Sequence, residues 1–200
     1  MFRSNRTTAI LGVLAALAGG LACSSAIPTE TPGVSEVGEN TRLYEGPDLL
    51  AAIGTRFAEQ NLGKEYLILE VAFSGPGAGR VAEVDRDRIS VRTPDGRRLP
   101  LMSQREFGEA YGELYAVANQ LERLSSPTTE TGGFGRPCGD WFFRKPGDGL
   151  ARDVLFISAL QSCRGPLFFR VPGGVQPGRW EIEIGLEEST AEIPFFLERY

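Results

Sequence analysis

From Tyr66 to Phe73 the chain is apolar at every second position. Leu67, Leu69, Val71 and Phe73 alternate with Tyr66, Ile68, Glu70 and Ala72. A helix face repeats every 3.6 residues and a strand every two, so this stretch reads as a half-buried strand. It stops at Ser74-Gly75-Pro76-Gly77. A second strand follows at Ile89 to Thr93, with Ile89 and Val91 inward and Arg88, Ser90 and Arg92 outward. Pro94-Asp95-Gly96 then turns the chain, because proline presets φ and glycine tolerates φ > 0. Leu99 and Leu101 carry a third strand back, so the region builds an antiparallel sheet.

The last third repeats the pattern. Leu167, Phe169 and Val171 alternate with Phe168 and Arg170. Trp180, Ile182, Ile184 and Leu186 alternate with Arg179, Glu181, Glu183 and Gly185. Ile193, Phe195 and Leu197 make a final strand. Asp153 to Leu160 reads as another strand. Leu49 to Phe57 fits both a strand period and one helix face, and Gly54 tips it toward a strand. Short strands separated by Gly/Pro turns predict a mainly β chain, an antiparallel β-sandwich.

One segment changes period. Phe107, Tyr111, Leu114, Tyr115, Ala118, Leu121 and Leu124 recur at spacings of three and four, which predicts an amphipathic accessory α-helix at about 104–124. Ser103 and Glu106 have the spacing of a capping box.

The N-terminal region carries an address. Arg3 and Arg6 precede an apolar run from Ala9 to Leu17 and a small-residue stretch ending at Cys23, the anatomy of a secretory signal peptide over residues 1–22. The run is shorter than the roughly 20 residues a membrane span needs. Leu21-Ala22-Cys23 resembles the lipobox of bacterial lipoproteins, with Gly20 where the family has an aliphatic residue. The resemblance implies a lipidated Cys23 as the mature N-terminus and a membrane partner through that anchor. Ser24, rather than Asp, after the Cys implies sorting to the outer membrane of a Gram-negative envelope. The alternative is ordinary signal-peptidase cleavage after Ala18. Residues 23–41, rich in Ser, Thr, Pro, Glu and Gly, read as the lipidated Cys and a flexible tether, and 42–200 as the folded domain.

Of three cysteines, acylation of Cys23 leaves Cys138 and Cys163 as an even pair. In an oxidising compartment they are predicted to form a disulfide; the alternative is two buried thiols. The strand pattern from Tyr66 to Phe73 and from Ile89 to Gly96, with Phe169-Arg-Val-Pro172 and Pro177-Gly-Arg-Trp-Glu-Ile182, resembles bacterial extracytoplasmic immunoglobulin-like domains. That resemblance implies an immunoglobulin-like fold and an envelope location, and no reaction.

Chemistry is sharply limited by composition. The chain has no histidine, so no Ser-His-Asp triad and no His-containing metal site can form. No cofactor is expected. Net charge is −5, and −7 once Arg3 and Arg6 are removed with the signal, which argues against a nucleic-acid partner. Glu109 and Glu113 lie one helical turn apart and read as a wet face. Pro76 to Arg88, with Arg80, Glu83, Asp85, Arg86, Asp87 and Arg88 in mixed sign, reads as a long solvated loop, and Asp85 and Asp87, interleaved with Arg86 and Arg88, as part of it rather than a calcium site. Gly75 to Arg80 lacks the following helix that a phosphate cradle needs. Three consecutive aromatics, Trp141, Phe142 and Phe143, are either a binding surface on a stapled excursion or core residues, with Phe142 under the helix. The expected function is a non-catalytic envelope module that binds or supports a protein or envelope polymer. The alternative is a carboxylate-dependent hydrolase of glycan or cell-wall material.

Overall fold

The computed structural model describes residues 31–75, 77, 80–123 and 136–198, with side chains described up to residue 116 of the long helix and again from residue 136. Residues 1–22, expected to be a signal peptide, and Cys23, expected to be lipidated, lie outside the described residues. In chain order the elements are β1 (Val34–Glu36), β2 (Thr41–Glu45), β3 (Leu50–Gly54), α1 (Arg56–Gln60), β4 (Tyr66–Ser74), β5 (Val81–Asp85), β6 (Ile89–Arg92), β7 (Arg98–Pro100), α2 (Gln104–Arg123), β8 (Arg136–Pro137), β9 (Val154–Ser158), β10 (Gln161–Arg170), β11 (Gly178–Gly185) and β12 (Thr190–Leu197).

They form a β-sandwich. One sheet runs β1-β2-β3-β4-β10-β9-β5, with the two-residue β8 parallel to β10. The other runs β12-β11-β6-β7, and every other pairing is antiparallel. In the four-stranded sheet the alternation works as read. Ile89, Val91, Ile182, Ile184, Ile193 and Phe195 are buried, while Arg92 is exposed on the other side. The turn is also as expected: Thr93 N–H donates to Arg97 O, and Gly96 sits at φ +83°.

The larger sheet departs from expectation at its centre. β4 is buried along both faces from Leu67 to Ser74, not half-buried. It lies between β3 and β10, and its second face is covered. Register sets Ile68 opposite Phe168, and Phe168 packs under Phe107 of α2 at 4.8 Å and Phe143 at 5.1 Å. A strand covered on both sides can carry apolar residues at every position.

Helix α2 occupies 104–123, within a residue of the prediction. Its capping box is formed. Ser103 N–H donates to Glu106 Oε2 at 2.7 Å, and Glu106 N–H to Ser103 Oγ at 3.2 Å. Phe107 and Leu114 are buried, whereas Tyr115 is exposed, so the buried stripe is narrower than the apolar pattern. The ambiguous stretch at 49–57 is split: strand to Gly54, then the one-turn α1, which buries Phe57 and Ala58.

Order begins before residue 42. Val34–Glu36 pairs with β2, setting Val34 opposite Tyr44, and Glu36 ion-pairs with Arg42 at 2.9 Å. The composition of the tether bears on core burial, but a strand added to an edge is held by backbone hydrogen bonds and needs little apolar surface. The interval 76–88 is likewise not all loop, since β5 and a single 3-10 turn at Arg86–Arg88 lie in it.

Candidate functional site

The aromatic triplet is not a surface. Trp141, Phe142 and Phe143 are all buried, at 6%, 0% and 6% exposure. The reason lies in how residues 136–143 run along the side of β10 away from β4. Cys138 N–H donates to Ser162 O at 2.7 Å, the Trp141 indole N–H to Pro166 O at 2.8 Å, and Met102 N–H to Phe168 O at 3.0 Å. These donors satisfy carbonyls that a neighbouring strand would otherwise take. Wrapping that edge sends neighbouring aromatics to opposite faces. Trp141 stacks on Phe73 and fills the space above Gly165, while Phe143 meets Phe107 and Phe168. Phe143, rather than Phe142, is the one under the helix.

Cys138 and Cys163 anchor this excursion, with their sulfurs 2.11 Å apart, at disulfide distance. Arg86 holds it from beneath. That residue is 6% exposed, and its guanidinium donates to Phe142 O at 2.6 Å and Arg152 O at 2.7 Å and pairs with Asp153 at 3.2 Å. It lies about 6 Å from the rings of Phe142 and Phe143.

The carboxylates named from sequence do not converge. Glu109 and Glu113 are exposed on α2. Asp85 accepts from Asp87 N–H at 2.9 Å, opening the 3-10 turn. Among the described residues no group of acidic or cysteine side chains is placed to hold a metal ion. On the outer face of the smaller sheet Glu183 is enclosed by Arg92, by Arg98 at 2.7 Å and by Ser90 at 3.3 Å. Burial pushes this carboxyl up, but the hydrogen bond from Arg92 and the charges of Arg98 and Arg92 outweigh it and hold it below its ordinary value. All its oxygens are engaged, which makes it a cross-strand clasp.

A groove of about 350 Å³ lies beside β5. Arg80, Val81, Ala82 and Glu83 form one wall; Leu186, Glu187, Glu188 and Asp48 form the other. Asp48 accepts from Ser189 Oγ at 2.9 Å and faces Arg80 at 3.7 Å. β5 ends the larger sheet, and only β9 pairs with it. Arg86 N–H donates to Asp153 O, and the same register sets Val84 opposite Leu155 and Ala82 opposite Ile157. Antiparallel ladders bond at alternate pairs. The backbone N–H and C=O groups of Val81 and Glu83, and the N–H of Asp85, therefore point to the open side, while the Asp85 carbonyl opens the 3-10 turn. On the outer face of the β5–β9 pair Val81 is 68% and Phe156 56% exposed. The sequence signal for this site was the Val81/Val84 pair within a charged run, and the charges hid it.

No protein-family model matches the chain, no curated protein is similar to it in sequence, and no solved structure matches its fold.

Proposed function

We propose that the protein is an exported, lipid-anchored, non-catalytic module of the bacterial envelope that binds another envelope component through the groove beside β5. The observation carrying this reading is the open side of β5, bordered by the exposed apolar side chains of Val81 and Phe156 and by a groove. Unpaired strand edges and exposed apolar side chains are what folded proteins use for partners. The lipobox-like Leu21-Ala22-Cys23 supports the anchor, and a cysteine pair at bonding distance supports an oxidising compartment. The test is a photo-crosslinking residue at Val81, with one at the exposed Leu150 as control, in cells whose envelope is intact. A discrete adduct from position 81 alone, on protein whose Cys23 carries diacylglyceryl by mass spectrometry, is expected. Equal labelling from both positions would contradict the binding surface, and a Cys23 of unmodified mass would contradict the anchor.

A hydrolase reading has one point in its favour: Asp48, Glu83, Glu187 and Glu188 share the groove. Release of reducing ends from peptidoglycan, abolished by Glu83→Gln or Glu188→Gln, would establish it. Asp48 is already held by Ser189 and Arg80, which suits a wall of the groove better than a general base.

A further inference from the structure

We infer that the occupant of the groove is an extended, basic peptide segment that joins the larger sheet as a strand beside β5. This rests on the reading of the groove as a binding surface and names the chemistry of its partner.

Comparing the free edges singles out β5. β1 and β7 are three residues long, and β7 ends in Pro100. β12 is long but carries Pro194, which has no N–H to offer. The side of β10 away from β4 is closed by Cys138, Trp141 and Met102. β5 has five residues and no proline. The N–H and C=O groups of Val81 and Glu83 and the N–H of Asp85 face away from β9, while the Asp85 carbonyl opens the 3-10 turn. Strand addition takes main-chain hydrogen bonds from such an edge and specificity from alternate side chains.

Charge names the partner. Among the described residues the groove presents Glu83, Glu187, Glu188 and Asp48 against one cation, Arg80, which Asp48 already faces. A second copy of β5 is a poor fit. Antiparallel pairing centred on Glu83 would put two Glu83 carboxylates opposite each other and Val81 opposite Asp85, and like charges directly opposed are unfavourable. A strand with Lys or Arg at alternate positions sets its cations on the face of Val81, Glu83 and Asp85, where the charged heads match the carboxylates and the aliphatic stems cover Val81, in a groove that Glu187 and Glu188 also line.

The test uses the full-length protein and an acetylated octapeptide alternating lysine with valine. Amide exchange should slow at Val81, Glu83 and Asp85 on adding the peptide. Glu83→Lys should weaken binding at least tenfold, and the affinity should fall as salt rises. Two further peptides are N-methylated on alternate amides, one on each edge; one should lose binding and the other keep it. Binding that survives both methylations would overturn strand addition. A glutamate–valine peptide binding equally well would overturn the basic partner. If the lysine peptide leaves those amides unprotected while Val81 still crosslinks specifically in cells, the inferred chemistry fails and the binding surface stands. Loss of both results removes both.

Discussion

Arg86 donates from its guanidinium to the carbonyl oxygen of Phe142, 56 residues away, at 2.6 Å. The bond ties the start of the 3-10 turn after β5 to the middle of the excursion that closes the edge of β10. A second carbonyl, that of Arg152, takes the same nitrogen at 2.7 Å, and the plane of the guanidinium lies beside two phenyl rings. Cationic donors to buried carbonyls are stronger than neutral ones, and removing them leaves acceptors unsatisfied.

Arg86→Ala should therefore lower stability by about 3 kcal/mol, read as a fall in the urea midpoint. Arg86→Lys should recover only part of this, because an ammonium has no planar face to set against the Phe142 and Phe143 rings and no second nitrogen for Asp153. Asp153→Asn should change the midpoint little, since Asp153 is 85% exposed and a pair with one partner in water contributes little.

Gly165 lies opposite Val71 in the β4–β10 ladder, and a Cβ there would come 2.4 Å from the Trp141 indole. Gly165→Ala should displace the indole, lose its bond to Pro166 O and cost roughly 2–3 kcal/mol, with a red shift in tryptophan emission. Gly112 in α2 is exposed, and a Cβ there meets nothing within 4 Å. Gly112→Ala should raise stability by up to about 1 kcal/mol, the ordinary gain from replacing a mid-helix glycine.

The Cys138–Cys163 link closes a loop of 25 residues. In the chain-entropy model that contributes on the order of 3 kcal/mol. Reduction with dithiothreitol, or Cys138→Ser with Cys163→Ser, should lower the unfolding free energy by an amount of that order, read from the urea midpoint and slope. The excursion over β10 should then be the first segment to gain amide exchange.

Glu183 gives stability a pH dependence of definite sign. Its carboxyl is held below the ordinary 4.5 in the folded chain, so the unfolded chain binds its proton more readily. The contribution is present above about pH 4.5 and is lost as pH falls through the folded value. Glu183→Gln should flatten that acid limb and lower stability at pH 7. The arginines around it are half in water, which places the cost near 1 kcal/mol rather than at the buried-pair extreme. Urea midpoints of both proteins between pH 3 and 7 check this.

Much of the scaffold was legible residue by residue. Pro94-Asp95-Gly96, the Ser103/Glu106 cap and the β11–β12 alternation are local patterns with local causes, and each stands where it was read. The errors share another origin. Arg86 sits in a run of alternating charge, and no neighbour in sequence reveals that carbonyls of residues 142 and 152 will surround it. Trp141-Phe142-Phe143 breaks the period of two because the segment wraps the rim of a sheet, and only the topology shows that rim. From sequence β5 reads as loop because it lies in a run of mixed charge that includes Arg80, Glu83, Asp85 and Arg86. That its outer side stays open is a property of strand order, which no five-residue window contains.

Partner binding depends on that open side, and amide exchange of the free protein measures it directly. The amides of Ala82 and Val84, bonded to β9, and of Arg86, bonded to Asp153 O, should exchange slowly. Those of Val81 and Glu83 face the groove and should exchange at least a hundredfold faster. Uniform protection across Val81 to Arg86 would mean that the edge is already covered, and would contradict the account.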